Sequence, residues 1–266
     1  LQLRRVQGAR GRVVAAGLLD HADQRVEHVH ADGQGPFHLA CELGRGAVAE
    51  GAAALASDVD VVFCLSYLNL PGAIATYRDS GLLFGAQNGS WLDSGALTGE
   101  VSPKQLAEIG CTWLELGHAE RERHFGERPA ETGAKAAAAI RNGLTPLVCI
   151  GEQERTTIAG AVDQCREKID AVLSDAPAEA PVVFAYEPVW AIGAQQAAEP
   201  EYVRDVLSAL TELWGDRRQT TRVVYGGAAQ RGTYTELADQ AAGLFLGRFA
   251  HDPAAYLDIA KEIATA

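Results

Sequence analysis

The sequence predicts an α/β fold, a (β/α)8 barrel, and three observations carry the prediction. From about residue 58 onward, short β-branched or aromatic runs alternate with longer segments rich in Ala, Leu and charge. That strict alternation is the pattern of βα units. The short runs are apolar throughout, as strands are when a parallel sheet is covered by helices on both faces. Seven units are clear, and an eighth fits upstream; eight in about 230 residues is the size of such a barrel. A doubly wound open sheet is the alternative, but the strand count and the lack of a GxGxxG after any strand weigh against it.

Residues 1–35 do not fit the repeat. RRVQGARGR and VVAAGLLDHADQRVEHVHADGQG read as a polar N-terminal extension with one short apolar element at 13–19. The barrel is therefore expected over 36–266. FHLACEL (37–43) is the best candidate for its first strand, followed by a helix from about Ala47 to Ala56. The later strands are VDVVFCLS (59–66), LLFGAQN (82–88), TWLELGH (112–118), LTPLVCIG (144–151), PVVFAYE (181–187), TRVVYGG (221–227) and GLFLG (243–247). Helices are expected at 70–79, 103–109, 131–142, 155–174, 200–214, 232–240 and 252–264.

The chain of 266 residues is 47% hydrophobic and 22% charged, ordinary globular composition. Its formal net charge of −12 argues against nucleic acid or an anionic membrane as partner. An anionic ligand would need local dipoles and a few placed cations. The five cysteines, Cys41, Cys64, Cys111, Cys149 and Cys165, have spacings that suit neither a disulfide framework nor a zinc site. They read as small buried hydrophobes in a reducing cytoplasm. No apolar run approaches the roughly 18 residues of a membrane span. Arg4 and Arg5 precede no apolar stretch of a signal peptide. Neither a metal nor an organic cofactor is implied.

A barrel of this kind carries its active site at the C-terminal ends of the strands. The third strand ends in Gln87 and Asn88, the fourth in His118, the sixth in Glu187, the seventh in Gly226 and Gly227, the eighth in Gly247 and Arg248. Histidine and glutamate can move protons. Glycines after strands seven and eight let backbone N–H groups approach an anion, and those loops are the usual phosphate site. Singly, each has a plainer reading: a structural histidine, a salt-bridging glutamate, a simple turn. Their convergence on one barrel rim favours the functional one.

GAQNGSWLDSGALTGEVSP (85–103), LGHAERERHFGE (116–127), PLVCIGE (146–152), AYEPVWAIG (185–193) and YGG (225–227) closely resemble motifs of the triosephosphate isomerase family. The resemblance runs from about residue 58 to the end and implies a TIM barrel that isomerises a small phosphorylated ketose through an enediolate. It implies that Glu187 is the base and that His118 is the electrophile, a neutral imidazole, as in triosephosphate isomerase, where a helix N-terminus lowers that histidine's pKa. AERERHF after His118 is expected to start such a helix. Glu120 matches a supporting position, and Arg121 and Glu127 match structural charges. Residues 189–197 match the family's mobile loop, with Pro188 and Trp190 as its stiff hinge and Gly193 offering an N–H to the phosphate. Thr98 matches a loop that inserts into a neighbouring subunit, implying a homodimer.

The family also carries an asparagine and a lysine at the end of its first strand, and here the chain departs. It has no lysine before Lys104. Aligned on the helix after 46, Cys41 stands at the asparagine and Leu43 at the lysine; a first strand at 13–19 would offer no lysine either. A charge-assisted hydrogen bond contributes about 1.5–3 kcal/mol, and losing one preorganised donor costs on the order of 10²–10³ in rate. Arg45 and Arg248 are the candidate replacements. Ala228 and Ala119 stand where the family has serines, and AQQAAE (194–199) replaces the usual lid tip. The pattern suggests a changed substrate or weakened catalysis. GLFLGR and AYLDI also look like family members acting on tetrulose phosphates.

Overall fold

The computed structural model describes residues 11–17, 47–192, 197–247, 250 and 252–266. Eight parallel strands close a barrel in sequence order: β1 (Val13–Gly17), β2 (Asp60–Leu65), β3 (Leu83–Ala86), β4 (Trp113–Leu116), β5 (Thr145–Ile150), β6 (Val182–Tyr186), β7 (Thr221–Tyr225) and β8 (Gly243–Leu246). Helices follow the strands: α1 (Ala47–Leu55), α2 (Leu70–Tyr77), α3 (Pro103–Ile109), α4 (Ala119–Phe125), α5 (Pro129–Arg141), α6 (Ile158–Ser174), α7 (Pro200–Glu212), α8 (Thr233–Leu237) and α9 (Pro253–Thr265). The fold class expected from the sequence is the one observed.

The first strand is a correction. Val13–Gly17 pairs with β2 through Val13↔Asp60 to Gly17↔Cys64 and with β8 through Val13↔Gly243 to Ala16↔Leu246. The place expected for 37–43 is therefore taken, and 37–43 itself lies outside the described residues. The physical reason lies in the two faces a barrel strand must bury. Val13 and Ala15 join the cluster inside the barrel, while Val14 and Ala16 join the layer beneath the helices. VVAAG offers an apolar group to both; FHLACEL would bring His38 and Glu42.

Packing falls into these two layers. Val62, Trp113, Leu147, Val183, Val224 and Phe245 help fill the barrel interior. A larger cluster, including Leu114, Leu116, Ile169, Phe184, Leu207 and Ile259, lies between sheet and helices. Barrel closure at β1 depends on Gly243, where any Cβ would run into the Val13 carbonyl. Gly243→Ala is expected to cost about 3 kcal/mol, the upper end for an overpacked site, by forcing the β1–β8 seam apart. Urea denaturation measures this; an unchanged midpoint would mean Val13 is not seated there.

Candidate active site

The rim residues are delivered by short, sharply terminated strands. After β4, Gly117 takes φ +66, and a Cβ there would press on Thr132. The chain then turns at once into α4, with His118 as its N-cap. The Glu120 backbone N–H donates to His118 Nδ1 at 3.3 Å. Accepting that bond uses the Nδ1 lone pair, which leaves Nε2 as the ring nitrogen that can donate towards the rim. Nε2 lies 3.9 Å from Glu187 Oε2, too long for a hydrogen bond, so the two groups stand side by side on the rim without bonding each other.

Glu187 follows β6, its backbone N–H donating to the Ile150 carbonyl at 2.8 Å. The residue is 7% exposed, and Oε2 is buried without a hydrogen-bond partner. Burial raises the carboxyl above the usual range, against the opposing pull of His118, the Cys149 thiol and Lys168. The approach is so close that neighbours must be glycine. A Cβ on Gly226 would sit 2.6 Å from Glu187 Cγ, and one on Gly151 would run into the Glu187 carbonyl.

Of the residues expected at the site, Glu187, His118 and Gly226 come together. Glu120 stands beside them, Oε2 3.7 Å from His118 Nδ1. Gly227 clears space for the Tyr225 ring, and Gly247 is exposed with nothing within 4 Å of a Cβ position. Gln87 and Asn88 are turned to other work. Gln87 Nε2 reaches the Cys64 carbonyl at 3.4 Å, and Asn88 Oδ1 accepts from Lys135 Nζ at 3.0 Å. Gly193, Arg248 and Arg45 lie outside the described residues, as do Cys41 and Leu43.

Lys168 on α6 belongs to the site and had no sequence signal, because only the packing of α6 on β4 and β5 brings it there. Its ammonium donates to the carbonyls of Gly117 at 2.8 Å and Cys149 at 3.1 Å and pairs with Glu122. It lines one cavity with Glu187, Ala119, Gly151, Gln153 and Val189. All three of its protons are engaged, so it holds the ends of β4 and β5 and biases Glu187 from behind. Glu152, quoted in PLVCIGE without a role, anchors the segment after Glu187. It accepts from Tyr186 Oη at 3.0 Å, Trp190 Nε1 at 2.7 Å and Tyr202 Oη at 2.9 Å. The Arg155 guanidinium lies 5.5 Å over both the Trp190 and Tyr202 rings and pairs with Glu199 at 2.9 Å. Trp190 is thus fixed on the side leading into 193–196.

Among the described residues no His, Cys, Asp and Glu side chains converge to hold a metal ion, and no helix is long and apolar enough to cross a membrane. An imidazole N–H beside a buried carboxylate can polarise a carbonyl and move a proton between adjacent carbons.

Comparison with known proteins agrees with that chemistry. The model of the triosephosphate isomerase family matches residues 41–263. The L-erythrulose-1-phosphate isomerase of Pectobacterium atrosepticum is 42% identical over 205 residues, 75% of this chain and 79% of the relative. That of Rhizobium etli is 41% identical over 199 residues, 71% and 73% respectively. The triosephosphate isomerase of Magnetococcus marinus is 36% identical over 207 residues, 73% and 80%.

Proposed function

Since the chain belongs to the triosephosphate isomerase family of sugar-phosphate isomerases, we propose that it isomerises a tetrulose phosphate, with a triose phosphate as the slower substrate. The observation that carries the reading is the Glu187–His118 pair: a buried carboxylate and an imidazole N–H, 3.9 Å apart on one rim. Glu187 removes the proton from the carbon beside the carbonyl. His118 Nε2–H hydrogen-bonds the carbonyl oxygen as it gains charge. In the enediolate so formed the proton of the neighbouring hydroxyl passes to the former carbonyl oxygen by way of His118 Nε2, and Glu187 returns its proton to the neighbouring carbon, with no net change of atoms.

The tetrulose preference is supported by relatives named L-erythrulose-1-phosphate isomerase, 42% and 41% identical. The phosphate is assigned to the backbone at Gly226, Gly227 and Gly247, with Gly193 and Arg248 joining it. A homodimer through the loop around Thr98 is part of the same reading; Trp91 and Leu92 in that loop are 37% and 41% exposed.

The test is turnover of L-erythrulose 1-phosphate and of dihydroxyacetone phosphate. Faster turnover of the tetrulose is expected, at a kcat on the order of 10²–10³ below that of a relative with the first-strand lysine. Binding of both sugars without turnover would instead favour a barrel that only binds phosphometabolites.

A further inference from the structure

We infer that Glu115, beneath Glu187 inside the barrel, is a subsite for a hydroxyl group flanking the isomerised carbons, and selects a four-carbon ketose phosphate over a three-carbon one. The inference rests on the isomerase reading above and names the substrate feature that the same site recognises.

Glu115 is a charged residue within an otherwise apolar barrel strand. It lies two positions after Trp113, which packs inside the barrel, so both project to the same face. The side chain is 2% exposed. Small groups surround this part of the interior. The Cys64 thiol on β2 neighbours Glu115, and the Cys149 thiol on β5 neighbours Glu187. Gly85 on β3 sits where a Cβ would come within 3.1 Å of Cys64 Sγ. Two carboxyl groups fill space that leucine or valine would fill in a purely structural core.

Both are left incomplete. Oε2 of Glu115 and Oε2 of Glu187 are each buried without a hydrogen-bond partner. Leaving such an atom unmatched costs its whole desolvation, so structures seldom keep one without use. Among the described residues no cation pairs with Glu115. Burial, and then the charge of Glu187, raise its carboxyl well above the usual range. A neutral carboxylic acid both donates and accepts, which suits an alcohol and does not suit a phosphate or carboxylate.

The substrate's geometry points the same way. With the phosphate at the loops after β7 and β8 and the reacting carbons between His118 and Glu187, a three-carbon ketose phosphate ends at the reacting carbons. A four-carbon one carries a further hydroxymethyl group, remote from the phosphate, on the side of β2 to β5 where Glu115 waits.

The experiment compares kcat/KM for L-erythrulose 1-phosphate and dihydroxyacetone phosphate in the wild type, Glu115→Gln and Glu115→Leu. Sites that bond a substrate hydroxyl discriminate strongly, so the leucine change should lower the tetrulose value by about 10²-fold and the triose value by less than about threefold. Glutamine keeps a donor and an acceptor and should retain most of the preference. Equal losses on both sugars, or none, overturn the subsite. If leucine prevents folding, Glu115→Val is measured against the same two outcomes. Wild-type turnover of neither sugar sinks the isomerase reading instead. The subsite is then judged by binding: Glu115→Leu must weaken L-erythrulose 1-phosphate at least tenfold relative to dihydroxyacetone phosphate, and parallel binding overturns it.

Discussion

Glu187→Gln is expected to lower kcat by roughly 10²–10⁴-fold with little change in KM, the range set by a positioned proton acceptor. Glutamine keeps the volume and the fit against Gly226 but cannot take a proton. Glu187→Asp keeps the acid and withdraws it from the reacting carbon, and should also lower kcat sharply. The pH profile adds a signature. The base works ionised, and burial raises its carboxyl despite His118, Cys149 and Lys168. Activity should therefore rise with pH through a limb lying above the ordinary carboxylate value of about 4.3. Stability moves the other way. A carboxyl raised in the folded state binds its proton more tightly there than in the unfolded chain. Ionisation thus destabilises the fold progressively as pH climbs from the unfolded value to the folded one. Glu187→Gln removes that cost and should be slightly more stable than wild type at neutral pH. Retained turnover in the glutamine variant would show that another group is the base.

Glu127→Ala is expected to cost about 3–5 kcal/mol of stability, because it strands a buried cation. Glu127 accepts from Arg121 Nε at 2.6 Å, Lys135 Nζ at 2.6 Å and Thr132 Oγ1 at 3.2 Å. Lys135 is 3% exposed, and its other bond goes to Asn88. Burial alone would raise the Glu127 carboxyl; the bonds and charges of Lys135 and Arg121 outweigh it, and the net direction is down. The sign follows from a depressed folded-state value. The stabilisation is present above the ordinary carboxylate range and is lost as pH falls through the lower folded value. Urea denaturation at neutral pH reads the loss. Lys135→Met in the Glu127→Ala background should recover part of it, since the two residues share one network. A Glu127→Ala midpoint equal to wild type would show that Lys135 finds water or another partner.

Both residues were legible in the sequence, but for different reasons. Glu187 stands at the end of an apolar run, and HFGERP places Glu127 just before α5. Seven strands were recognisable because each is a short apolar run followed by an amphipathic segment. The first strand was not: 13–19 and 37–43 both satisfy the local pattern. Pairing with β2 and β8 chose Val13–Gly17, a choice made by partners far away in sequence.

The sequence by itself determined the barrel class, the rim histidine and glutamate, and the absence of a lysine before Lys104. These depend on residue type, period and order along the chain. Tertiary structure alone decided that Val13–Gly17 closes the barrel, that Lys168 reaches from α6 to the ends of β4 and β5, and that Asn88 serves Lys135 rather than the rim. It also decided that Glu115 lies beneath Glu187. Each of these is a meeting of side chains brought together by barrel curvature, and no local pattern encodes which distant residue a buried charge will find.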